Sequence, residues 1–173
     1  MGKANKKQKK KPTLSQQRRA AAGAKGGIAK AAVRARCPLV DNEMSTYGAL
    51  LMKRGDGTRD RDHIPSFGGL VQYFQTVTGN PPTPKQRAAI KLRGLAIVLP
   101  KYIHKQGRTY GGKNTLAQRI LDGQDPVLAA RADVQAYLGI TTKKTKAVLA
   151  KMVKPLSYYT NMMNEINNNP RYR

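Results

Sequence analysis

Leu95-Ala96-Ile97-Val98-Leu99 is an apolar run closed by Gly94 on one side and Pro100 on the other. Its shortness, its Ile and Val content and its flanking breakers predict a buried strand. Pro100 suits the first turn of a following helix, which would carry His104 one turn in, after Lys101-Tyr102-Ile103. Upstream, Arg61-Asp62-His63-Ile64-Pro65-Ser66 holds the other of the chain's two histidines. If the strand at 95–99 pairs with a strand carrying Asp62, a carboxylate and an imidazole from distant positions meet on one small sheet.

That meeting would have chemical meaning. A neutral imidazole titrates near pH 7 and binds divalent metals, so either histidine is a candidate base or ligand. Hydrolysis of a phosphodiester needs a metal ion to neutralise developing charge and a base to activate water. Asp62 and His63 are consecutive, so on a strand they point to opposite faces. One can hold a metal while the other addresses water, with His104 as a second ligand.

The flanking segments read mostly as helix. Met44 to Met52 is a short strand or a short helix, and Lys53 to Asp60 is a polar, glycine-bearing turn or loop. Ser66 caps a helix carrying Leu70, Val71, Phe74 and Val77 up to Thr78, and Gly79-Asn80-Pro81-Pro82 ends it. Thr83-Pro84-Lys85-Gln86 opens another helix with a capping box, stopped at Gly94. Beyond Tyr110-Gly111-Gly112 the chain reads as helical to its end. Leu116, Ile120 and Leu121 are expected to form one apolar face. Val127, Leu128, Val134, Tyr137 and Leu138 belong to further short helices. A last helix is capped by Thr141 or Thr142, carries a stripe from Leu149 to Ile166, is kinked by Pro155 and frays at Asn167-Asn168-Asn169.

Charge bounds the partner. The 173 residues include 33 basic and 9 acidic ones, a formal net charge of +24. Residues 1–36 have no acidic residue and are expected to form a solvated, disordered basic arm, leaving 37–173 as the globular domain. Such a field attracts polyanions in a salt-sensitive way. Nucleic acid fits better than a membrane surface, because Trp is absent and Phe is confined to Phe67 and Phe74. No apolar run is long enough to span a bilayer, so integral membrane association is not expected. Cys37 is the sole cysteine, which excludes internal disulfides and Cys-based zinc sites. No apolar signal region follows the N-terminus, so the expectation is synthesis in the cytoplasm, with any export or delivery to a target cell achieved without a cleaved signal peptide.

Asp62-His63-Ile64-Pro65, followed by Gly68-Gly69, resembles the opening of the HNH or ββα-metal endonuclease motif. With Leu99-Pro100, His104 and Arg108-Thr109-Tyr110-Gly111-Gly112-Lys113-Asn114, the pattern is similar to HNH/endonuclease VII-type toxin domains of bacterial polymorphic toxins. The resemblance covers roughly residues 58–116. It implies an α+β, mostly helical fold: a ββα-metal core with a small antiparallel hairpin, extra helices and the basic arm. It implies a metal-dependent endonuclease, with DNA favoured over RNA and Mg²⁺, Mn²⁺ or Zn²⁺ as cofactor. His63 would be the general base, Asp62 and His104 metal ligands, and Arg108 the group stabilising transition-state charge. Arg61, Lys105, Arg108, Tyr110, Lys113 and Asn114 would contact nucleic acid. A toxin of this class would have an acidic immunity protein as partner. Two features depart from the compact motif: the long, helical segment between Pro65 and the strand at 95, and the basic arm.

The rival reading is a non-enzymatic nucleic-acid-binding or packaging protein, such as a viral or phage nucleoprotein or capsid-associated protein. It explains the charge but gives the pairing of Asp62 with His104 no purpose.

Overall fold

The fold is built around β3, Leu95–Pro100, in a computed structural model that describes residues 38–173. The basic arm expected over 1–36 lies outside the described residues. β3 is the middle strand of a three-stranded antiparallel sheet, between β1 (Met44–Thr46) and β2 (Arg59–His63). Ala96 to Leu99 are fully buried because both faces of the strand are covered. Ile97 and Leu99 enter a cluster with Ile64, Ile103, Val134, Tyr137, Leu149 and Met152, while Ala96 and Val98 face Leu39 and Leu50. A strand covered on both sides reads as an unbroken apolar run, which is why it is legible in the sequence.

Register decides what β2 contributes. Asp62 lies opposite Ile97 and Asp60 opposite Leu99. Directly opposed residues share a sheet face, so Asp60 and Asp62 point the same way as Ile97 and Leu99. Arg59, Arg61 and His63 point the other way. The two strands are not a hairpin: α2 (Phe67–Thr78) and α3 (Pro84–Arg93) lie between them in the chain. They pair because β3's apolar face, not a tight turn, sets the register.

The helix starts follow local chemistry. Ser66 Oγ accepts the Gly69 N–H at 3.1 Å, and Gly79 ends α2 at φ 74°. Thr83 and Gln86 complete the capping box of α3. The segment 44–52 resolves into both alternatives: β1, then α1 (Tyr47–Leu51). Pro100 closes β3 and precedes a four-residue helix, α4 (Lys101–His104), so His104 stands at the end of that helix.

α5 (Leu116–Gln124) and α6 (Pro126–Leu138) follow. The expected apolar face of α5 is exposed, with Leu116 at 57%, Ile120 at 45% and Leu121 at 60%. Its buried residues are Asp122 and Gly123. The reason is close approach to α2: a Cβ added at Gly123 would lie 2.3 Å from Gln72 Cβ, and one at Gly69 would lie 2.7 Å from Asp122 Cβ. Only the small side of α5 fits there.

The expected last helix is two helices, α7 (Lys143–Ala150) and α8 (Leu156–Asn168). Pro155 breaks the run and caps α8, because a proline there removes the backbone donor that continuity requires. Tyr159, Met163 and Ile166 pack with Leu70, Phe74 and Ile90 of α2 and α3. The Asn-rich end is held rather than frayed. Gln86 donates to Asn167 Oδ1 at 3.3 Å, and Thr83 Oγ1 donates to the Tyr172 carbonyl at 2.9 Å. No described helix is long and apolar enough to cross a membrane.

A candidate active site around His104

The pleat of β2 sends two carboxylates, Asp60 and Asp62, toward the end of α4. His104 lies between them. Its Nδ1 is 3.0 Å from Asp60 Oδ2, and its Nε2 is 3.2 Å from Asp62 Oδ1. An ionised carboxylate only accepts, so satisfying both contacts requires protons on both ring nitrogens. Burial works against the charged ring, but hydrogen bonds and charge from Asp62 and Asp60 outweigh it and hold the His104 pKa above 6.5. Tyr110 covers the ring edge-on, with centroids 4.7 Å apart.

Helix α6 supports the pair from behind. Tyr137 donates from its hydroxyl to Asp62 Oδ2 at 2.6 Å. Burial, then the nearby Asp62 carboxylate, pushes the phenol's pKa far up, so that proton stays in place. One turn earlier on the same helix face, Asp133 accepts from Arg108 Nε at 3.1 Å. Arg108 also reaches Asp122 of α5 through two donors, at 2.8 and 3.2 Å, and the Ala129 carbonyl at 3.3 Å. The loop after His104 is thereby tied to both helices.

Asp133 is the most perturbed carboxyl of the group. Burial raises its pKa from 3.8 to about 7, against the attraction of Arg108 and with the repulsion of Asp62 and Asp122. Its Oδ2 is buried without a hydrogen-bond partner. Asp60, Asp62, Asp122 and Asp133, out of 9 acidic residues in a chain of charge +24, thus gather around one imidazole and one guanidinium. Access is from the Asp60 side, whose side chain is 27% exposed against 10% for Asp62.

His63, expected as general base, is not brought to this group. It occupies the other face of β2, is 8% exposed, stacks on Tyr47 at 4.2 Å and packs against Phe67. Its Nε2 lies 2.9 Å from the Lys91 carbonyl, so that nitrogen donates. Burial lowers its pKa from 6.5, favouring the neutral ring. Arg61, expected to meet nucleic acid, instead donates to the Leu50 and Lys53 carbonyls, each at 2.9 Å, and holds α1 to the strand. Arg108 is engaged as described. Lys105 and Lys113 are exposed and Tyr110 half-buried, while Asn114 is half-buried near Gly68 with its Oδ1 unpartnered.

Asp60, Asp122, Asp133 and Tyr137 belong to the site without having stood out in the sequence as site residues. Asp60 had a signal: in Arg59-Asp60-Arg61-Asp62-His63, alternation places the acids on one face. The others depend on tertiary approach.

As a metal-binding set, two carboxylates and an imidazole suit a hard or borderline divalent cation. Among the described residues no three such side chains are gathered as a ready metal cage. The His104 ring itself bridges the two carboxylates. The carboxylates can take a cation once one of the ring's two hydrogen bonds opens, and the more exposed bond to Asp60 is the easier one.

No family model and no solved structure matches the chain. It is similar to deoxyribonuclease CdiA of Dickeya dadantii (strain 3937), 39% identical over 82 residues. That segment is 47% of this chain and 2% of the relative's own length.

Proposed function

We propose that the chain is a nuclease that hydrolyses phosphodiester bonds of DNA, with His104, Asp62 and Asp60 at the reacting centre. The observation that carries this reading is the imidazole held between two carboxylates, inside a chain of net charge +24. Similarity to a protein named a deoxyribonuclease supports the substrate and the reaction class. The HNH-like assignment rests on β2 pairing with β3 and on His104 following that pair, here with a four-residue helix and two helices inserted between the strands.

Asp62 and Asp60, the latter turned from the ring, would hold a divalent cation, Mg²⁺ or Mn²⁺ ahead of Zn²⁺. Such an ion supplies positive charge to the phosphate oxygens and to the departing oxygen. The chain's residues do the rest. Opening the Asp60 bond frees Nδ1 of His104, which as N–H can protonate the leaving oxygen and as a bare nitrogen can take a proton from water. Asp62, fixed by Tyr137, keeps the ring oriented throughout. Exposed Lys101, Lys105 and Lys113 attract the backbone phosphates. Arg108, already neutralised by two carboxylates, is assigned to holding the loop. In the toxin reading, an acidic immunity protein would cover the Lys105 and Lys113 side and close access to His104.

The test is plasmid cleavage with Mg²⁺, Mn²⁺ or Zn²⁺, with and without EDTA, beside His104→Ala and Asp62→Asn. Wild type should nick and linearise DNA, EDTA should stop it, and both variants should retard DNA in gels without cutting. If wild type and variants all bind and none cuts under any metal, the nucleic-acid-packaging reading replaces this one.

A further inference from the structure

Tyr137 reaches Asp62 through a gap that only glycine leaves. The hydroxyl comes from α6, and the loop that leaves His104 passes close beside it at Gly107. A Cβ added at Gly107 would lie 2.1 Å from Tyr137 Oη and 3.0 Å from the His104 carbonyl oxygen. No side chain, however small, fits without moving the phenol or the loop. Tyr137 is 2% exposed and its hydroxyl is 2.6 Å from Asp62 Oδ2. The other oxygen of the same carboxylate faces His104 Nε2 at 3.2 Å. Asp62 therefore has one oxygen for each partner, and the Tyr137 bond fixes the rotation that aims the other oxygen at the ring.

We propose that Tyr137 is a positioning residue for the Asp62–His104 pair, admitted to it by Gly107. The inference rests on the nuclease reading for its consequence but not for its geometry. Without the phenol proton, the Asp62 carboxylate is free to turn about its terminal bond, and His104 loses a fixed orientation. Partners of this kind, standing one bond behind a reacting group, commonly change rate or ligand affinity by about 10- to 100-fold when removed. A tyrosine that merely filled space would do neither when replaced by phenylalanine, which keeps the ring and its packing.

With two histidines in the chain, nitrogen-labelled histidine gives a spectrum of two rings, assigned with a His104→Ala protein. Tyr137→Phe should move the ring-nitrogen resonances of His104 and leave those of His63, on the opposite sheet face, where they were. Gly107→Ala, which keeps the hydroxyl but displaces it, should disturb the same ring. Adding Tyr137→Phe to Gly107→Ala should recover thermal stability, because the closest clash is with the removed oxygen. In plasmid cleavage, Tyr137→Phe should lower kcat about tenfold with KM unchanged. His104 signals that superimpose on wild type in a folded Tyr137→Phe protein overturn the proposal. If that protein does not fold, unshifted His104 signals in Gly107→Ala do the same. A wild type that cuts no DNA removes the kinetic arm and the nuclease reading, while the spectra still decide the positioning role. A wild type that cuts, with a Tyr137→Phe protein equal in both kcat and spectrum, removes the positioning role alone.

Discussion

His63 and His104 stand on opposite sides of the same strand pair, and almost everything about them differs. His63 is sealed between Tyr47 and Phe67, with a backbone carbonyl as its polar partner. His104 faces two carboxylates and opens toward solvent beside Asp60. Burial favours the neutral form of one ring; the neighbouring carboxylates favour the charged form of the other. Proximity in sequence to an aspartate therefore says little about what an imidazole does. Asp62 and His63 are adjacent residues with separate surroundings, whereas Asp62 and His104 are distant residues with a shared proton. The strand pleat separates the first pair, and the β2–β3 register joins the second.

The largest expected effect divides the two histidines by activity. His104→Ala or Asp62→Asn should lower the initial rate of plasmid cleavage about a hundredfold or more. His63→Ala should keep most of the activity per folded molecule and show its cost in melting temperature. A folded His63→Ala protein that cannot cut, beside a His104→Ala protein that can, would reverse the comparison.

The two arginines flanking these histidines extend it to stability. Arg108→Ala leaves Asp122 and Asp133 without their cation. Both carboxylates are buried but the arginine side chain is 22% exposed, so the low end of the usual loss applies, about 3 kcal/mol. Arg61→Ala removes bonds to two backbone carbonyls and should cost about 1–2 kcal/mol. Urea unfolding at one pH measures both, and equal losses would contradict the ranking.

Titration offers a contrast of sign. The His63 pKa is lowered by burial, so its contribution to stability is complete above 6.5 and is lost as pH falls through the lower folded value. The His104 pKa is raised, its carboxylate partners outweighing burial, so its contribution is complete below 6.5 and is lost as pH rises through the higher folded value. Asp133, raised by burial from 3.8 to about 7, also loses its contribution with rising pH but over a lower window: it is present below 3.8 and is lost as pH rises through about 7, which opposes the His63 slope. Melting temperature in EDTA should therefore fall as pH rises above 6.5, while below 6.5 His63 and Asp133 impose opposite slopes. His63→Gln should remove the loss toward acid and leave the Asp133 slope, and His104→Gln should flatten the limb above 6.5. If either substitution flattens the opposite limb, the assigned environments are wrong. The smallest effect belongs to the exposed Arg93–Glu165 ion pair, where Arg93→Ala should change stability by less than about 1 kcal/mol.

What the sequence disclosed was local. Ser66, Thr83 with Gln86, and the Gly94–Pro100 bracket act within a few residues, so caps, helices and the central strand could be read directly. The pairing of Asp62 with His104 was legible because an apolar strand and a proline lie between the two. The arrangement around that pair was not. Asp133 and Tyr137 look like one polar and one aromatic residue of an ordinary helix until α6 is laid against the loop at Gly107. Asp122 sits on a helix whose leucines suggest the opposite buried face. Close approach at Gly123 outranks apolar content there, and no periodicity in α5 announces it. His63 drew attention through its neighbour in the chain, but the face it occupies is set by the sheet.

The dispersion of the site along the chain has a consequence for synthesis. Asp60 and Asp62 come early, His104 and Arg108 later, and Asp122, Asp133 and Tyr137 later still. The positive charge, by contrast, is densest in residues 1–36, ahead of all of these. On the nuclease reading, a growing chain therefore carries the charge that attracts nucleic acid long before it can assemble the reacting group. A product that stops short of α6 would carry most of the net positive charge and lack the residues that hold Asp62 and Arg108 in place.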